Sequence, residues 1–317
     1  MSAPTQPLAV ALFAAAQAAL FLLAAPLLRG FIRKTEAVFQ LRQGPPLWQP
    51  YADIAKLLRK EPLRPTASSW VYAAGPRVCF ASVLAATALV PALVTSAPLE
   101  QAGGILLLAG LLALGRFALA TAALDTGSPF GGMGASREMT VGALAEPALL
   151  LALFTAGLSA GSLNIGEIAR RSAERGTSFH PSVLLAAAAL FLVLLAEAGR
   201  LPVDNPATHL ELTMIHEAMV LEYGGADLAL VEWAAAVKEL LMMTLLVDLF
   251  LPLGMAQAPG LAPLGMAALA LAAKLTCAAL LVAFVESTNA KLRFFRVPEL
   301  MAVSLGLGFL ALAMRFF

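Results

Sequence analysis

In this chain of 317 residues, 60% are hydrophobic and only 13% charged, with a mean hydropathy of +0.83. Soluble domains carry roughly 25% charged residues, so the composition excludes a soluble enzyme and predicts an all-α polytopic membrane protein, read as one integral membrane domain over 1–317. The net charge of +1 excludes a basic nucleic-acid surface, and the two cysteines, Cys79 and Cys277, fall in apolar runs with no spacing for a disulfide framework or a metal cluster.

The first apolar run, Pro7 to Leu28, has no charge, and Arg29, Arg33 and Lys34 follow it directly. A secretory signal carries its positive charge in front, so the expectation is a retained first span with its N-terminus outside. Residues 29–77 then hold nine of the 21 Lys and Arg residues, which places this segment in the cytoplasm. Within it, Leu47, Trp48, Tyr51, Ile54, Ala55 and Leu58 form one helical stripe and Asp53, Lys56, Arg59 and Lys60 another. That pattern predicts a cytoplasmic amphipathic helix, either lying in the headgroup region or docking a partner.

Further spans are expected at 78–97, 103–124, 140–160, 181–198, 228–252, 261–285 and 298–316, about eight in all, in a prokaryotic cell (inner) membrane. The segments this places inside hold 14 basic residues; those outside hold Arg170, Arg171, Arg175 and Arg315. Glu167 and Glu174 neighbour the first three, so the 161–180 loop reads as a surface helix with local ion pairs.

The most polar stretch follows the fifth span: AEAGRLPVDNPATHLELTMIHEAMVLEYGG, residues 196–225. It carries Glu197, Arg200, Asp204, His209, Glu211, His216, Glu217, Glu222 and Tyr223. Asp204-Asn205-Pro206 reads as a helix start and Gly224-Gly225 as its stop. The helix between them is too short and polar to span a bilayer, so it is expected at the membrane surface or in a wet cavity. His209 and His216 share a face, but their spacing is not that of H-E-x-x-H, and they read as protonatable wall residues with no metal bound.

Charges also interrupt the apolar segments: Arg116, Glu146, Glu197, Glu232, Lys238, Glu239, Asp248 and Lys274. Each costs at least about 2.5–3.5 kcal/mol at the bilayer centre, so they should face the bundle interior or water. As a set they read as a file of acids and bases able to relay protons; the alternative is a set of buried ion pairs fixing helix register.

These residues carry a resemblance. The 196–225 run closely resembles the signature of the membrane subunit of formate-hydrogenlyase and energy-converting [NiFe] hydrogenases, kin to the quinone-chamber subunit of respiratory complex I. LRQGPPLWQPYADIAKLLRKE, SREMTVGALAEPALL and KLRFFRVPEL extend it over nearly the whole chain. Glu197, Arg200, Pro202, Asp204, Glu211, Glu222 and Tyr223 match the broader family's acidic loop. Ala207 and His209 stand where the quinone-reducing branch carries acids, and so match the hydrogenase branch.

The resemblance implies a non-catalytic membrane anchor and proton-coupling subunit of a multi-subunit complex. Its partners would be hydrophilic large and small iron–sulfur subunits carrying the NiFe site, together with antiporter-like membrane subunits. No cofactor is expected on this chain. The alternative is a quinone-binding subunit of an NADH:quinone oxidoreductase. A free-standing transporter would show internal inverted repeats, and none is evident.

Overall fold

The computed structural model describes residues 7–100, 104–176, 180–204, 214–256, 260–290, 292 and 296–316. Its helices are α1 (Pro7–Phe39), α2 (Gln49–Leu58), α3 (Trp70–Thr87), α4 (Ile105–Asp125), α5 (Pro129–Ala160), α6 (Ile165–Arg175), α7 (Pro181–Glu197), α8 (His216–Val220), α9 (Gly225–Phe250), α10 (Leu261–Thr288) and α11 (Val297–Ala313). Among the described residues there is no strand; two isolated bridges, Val94 with Ala256 and Gly104 with Asn164, tie loops at one end of the bundle.

Among the described residues four helices are long and apolar enough to cross a membrane: Val10–Phe39, Ile105–Asp125, Pro129–Ala160 and Ala262–Thr288. Pro181–Glu197 and Val297–Ala313 are shorter apolar helices. The expected spans at 78–97 and 228–252 fall outside that class. α9 carries Glu232, Lys238, Glu239 and Asp248, and α3 is only 18 residues long with Arg77 inside it.

Three boundaries differ from the expected ones for local reasons. α1 does not end at Leu28 but runs through its basic residues to Phe39, because nothing from 29 to 39 breaks a helix. α3 starts at Trp70, where the Ser69 hydroxyl caps Val71 N–H at 3.2 Å and Asp125 accepts from the Ser69 and Tyr72 amides. It ends at Thr87, short of Pro91, and the chain continues as a buried irregular segment. The glycine-rich stretch before residue 140, expected as a loop, is the start of α5, with Pro129 in its first turn. Its glycines are contact points: Gly131 lies against the Ala123 carbonyl and Gly134 against Ala218 and Met219.

α3 packs on α4, α4 and α7 on α5, α11 on α5 and α7, and α1 on α9 and α10. The core is dominated by Ala, Leu and Val, among them Ala148, Ala152, Leu153, Ala189, Val193, Leu194 and Leu241. In lipid the hydrophobic effect between helices is weak, and such small residues let backbones approach closely enough for dispersion to hold them. The outward faces stay apolar, with Leu8, Met266, Leu269, Phe284 and Phe309 exposed.

α6 is the expected surface helix. Asn164 caps it, and Glu167 pairs with both Arg170 and Arg171. On α2 the expected apolar stripe stays largely open: Trp48 and Leu58 are exposed and only Pro50 is buried. Cys79 is buried, whereas Cys277 is exposed on α10.

Candidate functional site

The extension of α1 places Arg29, Arg33 and Glu36 along one face, because residues four and seven apart overlie each other on a helix. Arg29 Nη1 lies 2.8 Å from Glu232 Oε2 and its Nε 3.4 Å from Glu239 Oε2. Gly199, at φ +60, closes α7 in the left-handed region, and the Arg200 amide donates to the Leu195 carbonyl at 2.9 Å. This turn carries the Arg200 guanidinium inward to Glu239 at 2.9 Å, Glu36 at 3.2 Å and Glu286 at 3.3 Å. Burial works against the charge of Arg200, but these three carboxylates outweigh it and hold the guanidinium above its usual pKa.

A second cluster forms where α4, α5, α7 and α9 meet. Arg116 binds Glu146 and Glu197 directly, and its Nε stands 3.6 Å from Glu138. That Nε is buried without a hydrogen-bond partner. Lys238 Nζ reaches the other oxygen of Glu197 at 3.2 Å. Gly142 makes the arrangement possible, since a Cβ there would collide with the Arg116 guanidinium. A lone buried ion costs several kcal/mol, so each of these charges is kept by its partners.

Between the two clusters lies a cavity of about 100 Å³. Arg29, Arg33, Arg200 and Glu232 line one side, and Glu138, Glu197 and Lys238 the other. Asp204, His216 and Glu217 complete the wall. Nine of its seventeen described lining residues carry a charge, so the described walls are those of a charged chamber. Among the described residues no group of three or more His, Cys, Asp or Glu is arranged to hold a metal ion.

The polar helix expected from Pro206 to the Gly224-Gly225 stop is not continuous. Met214 and Ile215 are non-helical, and α8 begins only at His216. Asp204 Oδ2 accepts from the Ile215 and His216 amides at 3.1 and 3.2 Å, so this carboxylate caps α8 from far back in the sequence. His209 and Glu211 lie outside the described residues.

Tyr223 and Glu222 are not chamber residues. Tyr223 stacks on Tyr72 with ring centroids 4.3 Å apart and donates to the Tyr72 carbonyl at 3.0 Å. The Tyr72 hydroxyl in turn donates to the Glu222 carbonyl at 2.7 Å, while the Glu222 side chain is on the exposed surface. Burial first, then the neighbouring Tyr72 and Asp227, push the Tyr223 phenol above its usual pKa, so it serves as a neutral donor. Beside this pair, buried Asp227 meets Arg77 at 3.2 Å and Arg64 at 4.0 Å.

Lys274 is also separate. It pairs with Asp248 near the other end of α9. Between Glu239 and Asp248, α9 buries Leu240, Leu241, Met242, Met243, Leu245 and Val247, about 13 Å of helix. The one polar side chain there, Thr244, is bonded to its own helix at the Leu240 carbonyl, 2.8 Å away. The intramembrane charges therefore form two clusters around a chamber and one distant pair, rather than a continuous file.

The model of one protein family, described as NADH dehydrogenase, matches residues 11–315. The chain belongs to this family. Within it, the chain is 37% identical over 300 residues to Hydrogenase-4 component C of Escherichia coli (strain K12), a match covering 95% of this chain and 94% of that protein. It is 34% identical over 295 residues to Formate hydrogenlyase subunit 4 of the same organism, covering 93% and 95%. A chain in the structure of the membrane-bound sulfane sulfur reductase, an archaeal respiratory membrane complex, shares the fold: the TM-score is 0.84 at 23% identity, over 96% of this chain and 99% of that one.

In this NADH dehydrogenase family member, sequence reasoning singled out Glu197, Arg200, Asp204, His216, Glu217, Glu232 and Lys238, and the fold gathers all seven at the chamber. It brings Arg116, Glu146 and Glu239 into ion pairs behind the wall. It missed Arg29, Arg33, Glu36, Glu138 and Glu286 as site residues. The first three sit one helical turn apart beyond an apolar run, a spacing that could have marked a continuing helix face. Glu138 and Glu286 fall just outside the expected spans 140–160 and 261–285 and so read as boundary residues.

Proposed function

We propose that this chain is the membrane anchor and proton-coupling subunit of a membrane-bound hydrogenase complex of the formate-hydrogenlyase kind. It sits in a prokaryotic cell (inner) membrane with eight spans and its N-terminus outside. It links electron transfer in a cytoplasmic arm to ion translocation and carries no redox centre of its own. The iron–sulfur clusters and the NiFe site belong to the large and small hydrophilic partners, and antiporter-like membrane subunits complete the assembly. Similarity to the hydrogenase-4 and formate hydrogenlyase subunits supports this reading. The open apolar and basic faces of α2 suit a surface where the hydrophilic arm docks.

The observation that carries it is a charge imbalance on both sides of one cavity. Around Arg116 and Lys238 stand three carboxylates, Glu138, Glu146 and Glu197, to two cations. Around Arg29 and Arg200 stand four, Glu36, Glu232, Glu239 and Glu286, to two cations; Arg33 adds a third cation at the wall. Glu146 and Glu232 are partly exposed, at 37% and 32%, and the others are more deeply withdrawn; a carboxylate in excess of its neighbouring cations favours holding a proton the further it lies from water. A charge arriving in a docked redox partner shifts the energy of that proton through a low-dielectric medium, so uptake and release follow electron transfer.

The test is Glu197→Gln in the assembled complex, a change that keeps size and hydrogen bonding but removes one titratable charge. Dye-linked hydrogenase activity should stay near wild type while ion-gradient formation in vesicles falls. If gradient formation is unchanged, the proton role is lost. The family's description as NADH dehydrogenase keeps a quinone-binding role as the second reading. Under that reading, quinone-linked turnover itself would fall in the same variant.

A further inference from the structure

At the opposite end of α5, α7 and α9 from the chamber, two cavities share a wall. One, of about 120 Å³, is lined by Thr155, Ser159, Ser172, Arg175 and Arg315. The other is an outward-facing groove of about 660 Å³ between α7, α9 and α10, with Leu184, Phe191, Leu246 and Leu281 among its walls. Val183 and Phe250 line both, so the polar mouth adjoins the apolar groove.

The charges differ from those of the chamber. Among the described residues neither Arg175 nor Arg315 pairs with a carboxylate; Arg175 donates to the Ser159 carbonyl, and Arg315 is exposed. Lys274, at the groove wall, is already neutralised by Asp248. The surplus charge is therefore confined to the mouth, and the groove below it is hydrocarbon.

We propose that this composite site binds an anionic phospholipid, with its phosphate between Arg175 and Arg315 and an acyl chain along the groove. Two guanidinium groups present planar donors matched to phosphate oxygens. A plain apolar partner helix would fill the groove but leave those two cations without an anion, whereas an anionic lipid satisfies both parts. The proposal rests on the membrane placement argued above but not on proton coupling, and lipid retention is read separately from gradient formation.

The experiment is native mass spectrometry of the delipidated, assembled complex, titrated with phosphatidylglycerol, phosphatidylcholine or inorganic phosphate. Wild type should retain phosphatidylglycerol in preference to phosphatidylcholine. R175Q/R315Q should weaken phosphatidylglycerol binding about tenfold or more, as expected when charge-assisted hydrogen bonds are removed. Arg315→Gln alone, at an exposed position, should give a smaller loss and guards against a folding defect in the double variant. Ala187→Trp, which fills the groove but keeps both arginines, should weaken the lipid and leave inorganic phosphate binding unchanged. The proposal is overturned if R315Q and R175Q/R315Q retain phosphatidylglycerol like wild type. It is equally overturned if phosphate competes fully while A187W has no effect, because the site then reads only a free anion.

Discussion

Lys238 Nζ stands 3.2 Å from Glu197 Oε2, on the carboxylate oxygen opposite the one that Arg116 holds. One carboxyl group at the end of α7 thus joins α4 to α9. Its two partners differ in kind. The guanidinium is a rigid planar fork and fixes geometry; the ammonium is a compact point charge on a flexible stem. Glu197 is therefore a clamp that ties α4 and α9 to the end of α7.

Gly142→Ala should disturb this clamp without touching any charge. The added methyl meets the Arg116 guanidinium, so Arg116 must leave Glu146 and Glu197 or the helices must part. We expect a loss of about 1–3 kcal/mol, the usual range for overpacking, seen as a lower Tm of the detergent-solubilised protein. Gly110→Ala is the control, since nothing lies within 4 Å of its Cβ position on α4. It should be neutral or stabilising by up to about 1 kcal/mol.

Arg200→Met should be far more severe than a large-to-small change in the core. It leaves Glu36 and Glu286 without their cation and Glu239 with only Arg29. Breaking a buried ion pair from one side costs about 3–5 kcal/mol, so little assembled complex should be recovered from membranes. Arg200→Lys should recover part of it, because one ammonium cannot reach three carboxylates at once. Wild-type amounts of Arg200→Met complex would mean that these acids are neutral in the folded protein.

Asp204→Ala removes the acceptor for two amides at the start of α8. The expected cost is about 1–2 kcal/mol, as for other caps, with a matching fall in Tm. Asp204→Asn keeps an acceptor oxygen and should lose less than half of that. Equal effects from the two substitutions would show that the charge of Asp204 matters rather than its hydrogen bonding.

The pH dependence of α6 follows from Glu167. Slight burial pushes its carboxyl pKa up, but the hydrogen bonds and charges of Arg171 and Arg170 outweigh this and hold it below the ordinary 4.5. A lowered folded pKa means that the contribution is fully present above the unfolded value and is lost as pH falls through the folded one. A spin or fluorescent label on α6 should therefore report constant mobility from pH 7 down to about 4.5, then rising mobility at lower pH. Glu167→Gln should abolish that transition.

Much of the bundle could be read in the sequence because lipid imposes a simple rule: long apolar runs become helices, and charges within them turn inward. Arg116, Glu197 and Glu239 follow it and are buried in ion pairs. The boundaries were less legible because hydropathy does not register a helix that continues past its apolar part. α1 carries Arg29, Arg33 and Glu36 into the site on just such a continuation. Long-range partners were hidden for another reason. The link from Arg200 to Glu36 and Glu286 depends on a turn at Gly199 and on which helices become neighbours, and neither is encoded in local spacing. Tyr223 misled in the opposite sense: it adjoins the acidic stretch in sequence, but its ring pairs with Tyr72.

The buried Leu and Met stretch between Glu239 and Asp248 makes α9 an insulator along its length. A proton arriving in the chamber finds no wire down that helix to the far face, only about 13 Å of hydrocarbon with a single self-bonded hydroxyl. A vesicle containing this chain alone should therefore hold a pH gradient as tightly as bare lipid. Under the proposed coupling role, charge held in the chamber would act across the bundle as on the plate of a capacitor, and its work would be taken off sideways by a neighbour.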